Sequence, residues 1–335
     1  MKLLPLSGTG WLGSTISRCA LAMGLEVTAL ARGETGHLVP GVRFVAADRN
    51  GPDPYRETRL ESWDVIVEVA SHPRWVRQAI AAHGGLAARW CYVSSVSVYR
   101  DPSRLDQDER AEVATPFHGE MLESFDDYAG AKVGCEALVR SMVGENDSLI
   151  IRPGLIGGAG DLSDRTGYWP WRFAHAAALG REVLIPDPIG REVQIVDVED
   201  LAGWIVSALD FALSGTYNVV GDTISLADYF SICRSLNGGS VSQVIVSSEW
   251  LVEQGVASWA GHRSLPLWIA ESGHEGFARW SGAKARDHGF HARPMSETME
   301  AVLLWELSRD ASERRAGLTD LEEQDLLMAL SKGSR

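Results

Sequence analysis

The sequence predicts an α/β fold: a doubly wound parallel sheet joined to a smaller mixed domain. Short apolar runs alternate with helical periodicities as far as Arg152, and the first run leads through closely spaced glycines into a helix. After Pro153 the chain becomes rich in glycine, proline and tryptophan, and the regular alternation stops. Continuous apolar runs are typical of parallel strands covered on both faces, and their alternation with helices is typical of a doubly wound sheet.

The first half supplies most of the sheet. Right-handed crossovers between parallel strands bring the carboxyl ends of those strands to one crevice, where ligands bind in such folds. The helices are predicted over residues 12–23, 74–82 and 126–143. The strands are predicted over residues 3–6, 26–31, 42–45, 65–69, 90–94 and 149–152.

The second half is less regular. Strands are predicted to return at residues 193–196 and 216–220, with helices over 198–213 and 226–236. An acidic amphipathic helix over residues 318–330 is expected to pack on the surface or on a partner subunit. The predicted units are a sheet domain of residues 1–152 plus 191–222, a second domain of residues 153–190 plus 223–310, and a helical tail of residues 311–335.

Composition excludes several functions. The 335 residues carry a formal net charge of −14, which repels nucleic-acid backbones. The four cysteines, Cys19, Cys91, Cys135 and Cys233, have no zinc-like spacing, so we expect no metal and interpret them as reduced, buried thiols. Neither an export signal nor a membrane-spanning run is found, so a cytoplasmic location without membrane contact is expected.

A glycine loop follows the first predicted strand. Residues 7–13 read Ser-Gly-Thr-Gly-Trp-Leu-Gly, and Gly8, Gly10 and Gly13 permit a tight turn and a close approach of the backbone to phosphate. The helix entered through Trp11 and Leu12 presents free N–H groups and a positive dipole end to an anion. The loop therefore predicts a dinucleotide pyrophosphate site made by these five residues.

Two further residues bear on the choice of coenzyme. An NAD site usually places an acid at the end of the second strand, where it accepts from the ribose 2′-hydroxyl. Here that acid is missing and Arg32 lies nearby, so NADP(H) is favoured, with Arg32 on the 2′-phosphate, and NAD(H) stays open. The alternative is a solvated loop arginine. Asp48, just past the third strand, is placed to bond the adenine amino group, or is simply a turn aspartate.

Ser95, Tyr128 and Lys132 form the candidate catalytic set. Tyr128 and Lys132 lie four apart on a predicted helix and so share a face. The ammonium can stabilise the phenolate and bond a ribose hydroxyl, while the phenol acts as general acid or base. Ser95 follows the fifth strand, where its hydroxyl can orient a substrate oxygen. Tyr-x-x-x-Lys alone is weak evidence, but its combination with this strand end and the glycine loop favours an enzyme.

These motifs resemble the extended and atypical short-chain dehydrogenases/reductases, the NAD-dependent epimerase/dehydratase family, over nearly the whole chain. The glycine loop is similar to G-G-T-G-F-L-G, with Ser7 in the first place. Ser95, Tyr128 and Lys132 match the family's catalytic positions. The resemblance implies a Rossmann fold and implies that Pro153, in an R-P-x-x-x-x-G segment, lies beside the nicotinamide. Matching segments also occur at residues 42–48, 196–202 and 281–290.

Departures from the family pattern narrow the expected function. Val96 and Ser97 replace the acidic pair that sugar-nucleotide dehydratases carry, which disfavours elimination. Val193 stands where many sugar-nucleotide epimerases carry an arginine for the diphosphate, although Arg191 is a possible substitute. Ser95, Val96 and Tyr128 are expected to contact the substrate.

The tryptophans of the second half suggest an apolar or ring-bearing substrate. Trp169 and Trp171 lie in the segment expected to form the pocket, and with Trp259 and Trp268 they could make an aromatic wall. The alternative is that they fill the core of a small domain.

The predicted function is an NAD(P)-dependent reductase or dehydrogenase acting on a carbonyl or carbinol carbon of a small molecule. Two alternatives stay open: a nucleotide-sugar 4-epimerase with tightly bound NAD, and a non-catalytic Rossmann sensor. By analogy alone, a homodimer is plausible.

Overall fold

The computed structural model describes residues 1–34, 36, 38–310 and 314–333. Fourteen strands occur in these ranges. They are β1 (Lys2–Leu6), β2 (Glu26–Ala31), β3 (Arg43–Ala46), β4 (Trp63–Glu68), β5 (Ala87–Val93), β6 (Ser148–Pro153), β7 (Leu155–Gly157), β8 (Val183–Pro186), β9 (Glu192–Asp197), β10 (Gly215–Val219), β11 (Thr223–Ser225), β12 (Gln243–Val246), β13 (Ala257–Trp259) and β14 (Ser264–Pro266).

Ten α-helices connect and cover these strands in the described ranges, and none of the ten has both the length and the apolar character that crossing a bilayer requires. They are α1 (Trp11–Ala22), α2 (Pro73–His83), α3 (Tyr128–Val143), α4 (Tyr168–Leu179), α5 (Val198–Asp210), α6 (Leu226–Ser235), α7 (Ser248–Glu253), α8 (Ala283–Asp287), α9 (Met295–Leu307) and α10 (Asp320–Gly333).

A seven-stranded parallel sheet organises the first half, with the order β10-β6-β5-β4-β1-β2-β3. The predicted doubly wound α/β fold is therefore confirmed. The strand predicted at residues 193–196 exists as β9, but it does not rejoin this sheet. It pairs with β7 in parallel and with β11 antiparallel, because β10 takes the place beside β6.

Each face of the sheet has its own core. Val65 and Val67 of β4 pack toward α1 and α5, whereas Ile66 between them packs toward α2 and α3. Successive side chains of a strand point to opposite faces, so a strand covered on both faces needs an unbroken apolar run. This is why β4 could be predicted from sequence.

The second half has a separate core, around α4, α6 and α9. The C-terminal helix α10 belongs to this core. Leu326 is buried within it, and Arg172 of α4 donates to Asp320 at 2.6 Å. The predicted tail helix is thus present, and its apolar side packs on its own chain.

A buried ion pair closes the carboxyl end of β4. The Arg49 guanidinium donates to both Glu68 oxygens, at 2.8 and 2.5 Å, and both side chains are almost fully buried. Arg49 also donates to the Trp75 carbonyl at 2.8 Å, and the Glu68 carboxylate accepts from the Ala70 amide at 2.9 Å. The pair therefore fixes the turn that leaves β4 toward the site.

Glu68→Gln should destabilise the protein strongly, because it leaves the Arg49 charge buried without its counter-ion. We expect a loss of about 3 kcal/mol or more in the free energy of unfolding, measured by urea denaturation. Asp53→Asn is the matched control. It removes the same charge from the exposed Asp53–Arg59 pair and should cost less than about 1 kcal/mol. Equal losses in the two variants would contradict this role.

Candidate active site

The site is a cavity of about 620 Å³ at the carboxyl ends of β4, β5 and β6. Val69, Val93 and Pro153 line it from the sheet, and Trp259 and Phe277 line it from the second half of the chain. Because the carboxyl ends of parallel strands meet at one edge, residues far apart in sequence converge there.

Ser95 enters this cavity just after β5. It caps a short 3₁₀ turn (Val96–Val98), and its Oγ accepts a hydrogen bond from the Ser97 amide at 3.1 Å. The same Oγ lies 3.1 Å from the Ser97 hydroxyl. Val96 and Ser97 also line the cavity. The turn therefore fixes the Ser95 hydroxyl at the cavity wall.

Tyr128 is the first residue of α3 and lies at the mouth of the same cavity. Its ring is parallel to the ring of Phe125, with centroids 5.8 Å apart. Phe125 is 83% exposed. The half-buried Tyr128 ring therefore lies beside an exposed aromatic ring at the cavity lining.

Lys132, one turn after Tyr128, is buried beneath it. Its Nζ donates to the carbonyl oxygens of Val69 and Ala70, each at 3.3 Å, and of Val93 at 2.7 Å. The ammonium lies 5.9 Å from the Tyr128 ring centroid. Its three N–H donors are thus matched by three carbonyls. To bond a ribose hydroxyl as expected from sequence, Lys132 would have to release one of them.

The glycine loop has the shape that a dinucleotide pyrophosphate requires. A Cβ on Gly8 would lie 2.6 Å from the Ala29 Cβ, and one on Gly13 would lie 2.6 Å from the Ser7 carbonyl oxygen. Ser7 itself has a φ of 68°, the left-handed conformation that a glycine adopts more easily. Gly10 begins α1 without a side-chain cap. The N–H groups of this helix end remain available to an anion, so the loop fits the group that the sequence predicts.

Trp11 and Leu12 connect the glycine loop to the cavity, which both residues line. The Trp11 indole N–H donates to the Ala159 carbonyl at 2.8 Å, on the segment that leaves β7. The indole therefore bridges the two halves of the chain across the crevice. Pro153, at the end of β6, lines the same region.

Arg32 and Asp48 lie on the carboxyl side of β2 and β3, outside the residues that line the cavity. Arg32 is half-exposed and forms an ion pair with Glu34 at 3.1 Å. The exposed Asp48 carboxylate accepts from the Asn50 amide at 2.9 Å, as an aspartate in a turn does.

The expected substrate roles of Trp169 and Trp171 are wrong. Both lie in the first turn of α4, and both are buried in the core of the second half, with Trp169 fully enclosed. The Trp169 indole N–H donates to the Pro266 carbonyl at 2.6 Å. Trp268 is likewise enclosed in that core. These tryptophans fill a small domain instead of facing a ligand, because α4 turns their indoles toward the apolar side chains of that core.

The aromatic wall is made by other residues. Trp259, the one tryptophan of the expected wall that lines the cavity, is joined by Phe277 and Trp280. Trp280 stacks on Tyr99 with centroids 5.0 Å apart. Sequence reasoning missed Phe277 and Trp280, although they lie four residues and one residue before the matching segment that begins at Ser281.

Arg191 does not take the role of the diphosphate-binding arginine that many sugar-nucleotide epimerases carry where this chain has Val193. The Arg191 guanidinium donates to the carbonyl oxygens of Asp187 and Ile269 and to the Ser248 hydroxyl, and Arg191 does not line the cavity. Arg191 thus holds loops together. Val193 presents an apolar surface to the cavity instead.

No family model matches the chain, and no curated protein matches it in sequence. Solved structures share its fold over nearly their whole length. UDP-N-acetylglucosamine 4-epimerase from Bacillus cereus is 16% identical, with a TM-score of 0.65 over 92% of this chain and 100% of that chain. UDP-glucose 4-epimerase from Thermus thermophilus, solved with NAD, is 18% identical, with a TM-score of 0.62 over 92% and 100%.

An NAD-dependent NDP-hexosamine 5,6-dehydratase of tunicamycin biosynthesis is similar as well: 18% identical, with a TM-score of 0.65 over 93% of this chain and 99% of that chain. The central parallel sheet and its helices therefore form a Rossmann-type fold. More particularly, it is the fold of the NAD-dependent epimerases and dehydratases, and the resemblance predicted from sequence is confirmed at the level of fold. Function has to be argued from the site.

The loss in the free energy of unfolding should distinguish Trp169, a core residue, from Trp259, a residue of the cavity wall, when each is replaced by Phe. Trp169→Phe opens space in a closed core and leaves the Pro266 carbonyl without its donor, so we expect a loss of about 2 kcal/mol in the free energy of unfolding. Trp259 is half-buried, and its substitution should cost less than about 1 kcal/mol. Urea denaturation measures both. A larger loss for Trp259→Phe would contradict the assignment.

Proposed function

We propose that the protein is an NAD-dependent oxidoreductase that reduces a carbonyl, or oxidises the corresponding alcohol, on a compact substrate. The observation that carries the proposal is the convergence of Ser95, Tyr128 and Lys132 on one cavity beside the glycine loop. A hydroxyl, a phenol and a buried cation are the groups that proton exchange at a carbonyl oxygen needs.

Each residue has a distinct task in this proposal. The Ser95 hydroxyl orients the substrate oxygen, held in place by its hydrogen bond to the Ser97 amide. The phenolic oxygen of Tyr128 gives the proton to that oxygen or takes it away. The Lys132 ammonium, fixed by three carbonyls, stabilises negative charge on the phenolic oxygen.

The coenzyme would be held by the glycine loop, by Trp11 and Leu12 and by Pro153. When bound, it would supply the hydride exchange at the nicotinamide C4, which no side chain of the site can supply. The apolar wall of Trp259, Phe277 and Trp280 would exclude water from the reacting carbon.

Tyr128→Phe should lower kcat for carbonyl reduction by about a hundredfold or more, because general acid–base catalysis contributes at least that much. The assay follows the loss of NADH absorbance with a panel of aromatic and aliphatic ketones and aldehydes. NADH binding should be unchanged. Tyr217→Phe is the matched control, since Tyr217 lies on β10 outside the cavity lining. Near-normal turnover by Tyr128→Phe would exclude the assignment.

The coenzyme we propose is NAD(H), in place of the NADP(H) favoured from sequence. Arg32 already pairs with Glu34 at 3.1 Å. A 2′-phosphate would have to lie close to that carboxylate, whereas a ribose 2′-hydroxyl can donate to it. The ion pair thus supports NAD(H), and the role left to Arg32 is to hold the Glu34 carboxylate.

Fluorescence titration with NADH and NADPH tests this choice. The wild type should bind NADH more tightly. Glu34→Ala frees the Arg32 charge and should shift the ratio of the two dissociation constants toward NADPH by about tenfold, the effect of one charge-assisted hydrogen bond. Arg32→Ala should weaken NADPH binding relative to the wild type. A wild type that prefers NADPH, or a Glu34→Ala variant without a shift, would contradict the proposal.

A nucleotide-sugar 4-epimerase is the second candidate, favoured by the fold of two solved structures that carry that activity. It would retain NAD through purification and consume no NADH. The valine at position 193 in place of an arginine, together with the structural use of Arg191, disfavours it. A sensor without catalysis has no need for Ser95, Tyr128 and Lys132 in one cavity.

A further inference from the structure

Arg165 is a charged residue of the cavity that the proposed reaction does not use. It lines the cavity, and its Nε donates to the Ser163 hydroxyl at 3.0 Å. Its guanidinium carbon lies 5.7 Å from the Trp259 ring centroid. No carboxylate lies within 4 Å of the Arg165 guanidinium in the described ranges, 1–34, 36, 38–310 and 314–333. The two terminal nitrogens are therefore free to bind a ligand.

The other charges of the cavity are already engaged. The Lys132 ammonium is bonded to three backbone carbonyls. Asp161 is buried and accepts from the Thr166 hydroxyl at 2.8 Å. Glu192 pairs with Arg279 at 3.3 Å. Arg165 is thus the cavity charge whose terminal nitrogens have no hydrogen-bond partner in the part of the chain that the structure describes.

The backbone that precedes Arg165 is held by several hydrogen bonds. Asp164 is fully buried, and its carboxylate accepts from the Arg309 guanidinium and from the Arg315 amide. Asp161 accepts from the Ser163 amide at 2.9 Å. With the Nε hydrogen bond and the indole contact added, the Arg165 guanidinium is pre-oriented, which lowers the entropic cost of binding an anion.

We infer that the substrate carries one carboxylate, which Arg165 binds, next to an apolar or ring-bearing part that contacts Trp259 and Phe277. The inference rests on the proposed function and names its substrate class: an oxo acid or the corresponding hydroxy acid. A planar guanidinium bonds a carboxylate with two parallel N–H donors. A diphosphate carries more negative charge than one guanidinium balances.

Matched acid and amide probes test the inference by binding alone. The pairs are benzoate with benzamide, 3-phenylpropanoate with its amide, and biphenyl-4-carboxylate with its amide. Dissociation constants are measured by calorimetry with saturating NADH, whose nicotinamide ring is neutral, and again without it. The wild type should bind the acid of at least one pair tenfold or more tightly than its amide.

Variants assign this preference to one side chain. Arg165→Ala should abolish the preference and leave amide binding unchanged, and Arg165→Lys should retain part of it. Arg110→Ala removes the same charge from a side chain that is 90% exposed and should leave the preference intact. Urea denaturation checks that each variant is folded. If Arg165→Ala does not fold, Arg165→Lys still provides the test, because its acid preference should be smaller than that of the wild type.

Two results would overturn the inference. The first is that in none of the pairs does the acid bind better than its amide, which includes the case that no acid binds at all. The second is an acid preference that survives in both Arg165 variants. Tyr128→Phe separates this inference from the proposed reaction, since the acid preference should persist in that variant. Turnover that depends on Tyr128 without any acid preference would refute only the role of Arg165. Acid preference without such turnover would refute only the reaction.

Discussion

The site depends on the hydrogen bonds that the buried Lys132 ammonium donates to three backbone carbonyls. The ammonium joins the carbonyl oxygens that follow β4 and end β5 to the first turns of α3, so one cation fixes the sheet edge and the helix that carries Tyr128. An unpaired ammonium in this position would be costly to bury, and three carbonyls with the Tyr92 ring at 5.0 Å offset that cost. Ser95 and Tyr128 are brought to one cavity by this arrangement.

In the proposed function, a coenzyme and a substrate lie on either side of that centre. On one side, Gly8 and Gly13 have no room for a Cβ, which lets α1 approach the sheet and leaves its amino end open to phosphate. On the other side, Trp259 and Trp280 form an apolar wall of the cavity, and the Arg165 guanidinium lies over Trp259. The Glu68–Arg49 ion pair holds the turn after β4 in place between these two sides. The proposal therefore assigns coenzyme binding, proton exchange and substrate selectivity to different groups around one cavity.

The strands of the central sheet could be predicted because each buried parallel strand needs an apolar run, as β4 and β6 show. Tyr128 and Lys132 could be placed on one helix face by their spacing, and Ser95 by its position after β5. The bonds that Lys132 makes could not be foreseen, since they involve backbone carbonyls that no sequence pattern marks. Trp169 and Trp171 were misassigned because a tryptophan in a core and one in a pocket wall have the same local sequence. Only the tertiary packing of α4 distinguishes them.

In the proposed reaction, Tyr128 and Ser95 face the reactive edge of a bound nicotinamide. A crystal structure of the protein with NADH tests this most directly. We expect the nicotinamide ring to lie in the cavity near Pro153, with its C4 directed toward the space between the Tyr128 phenol and the Ser95 hydroxyl. A nicotinamide bound outside the cavity, or a Tyr128 hydroxyl turned away from that space, would contradict it.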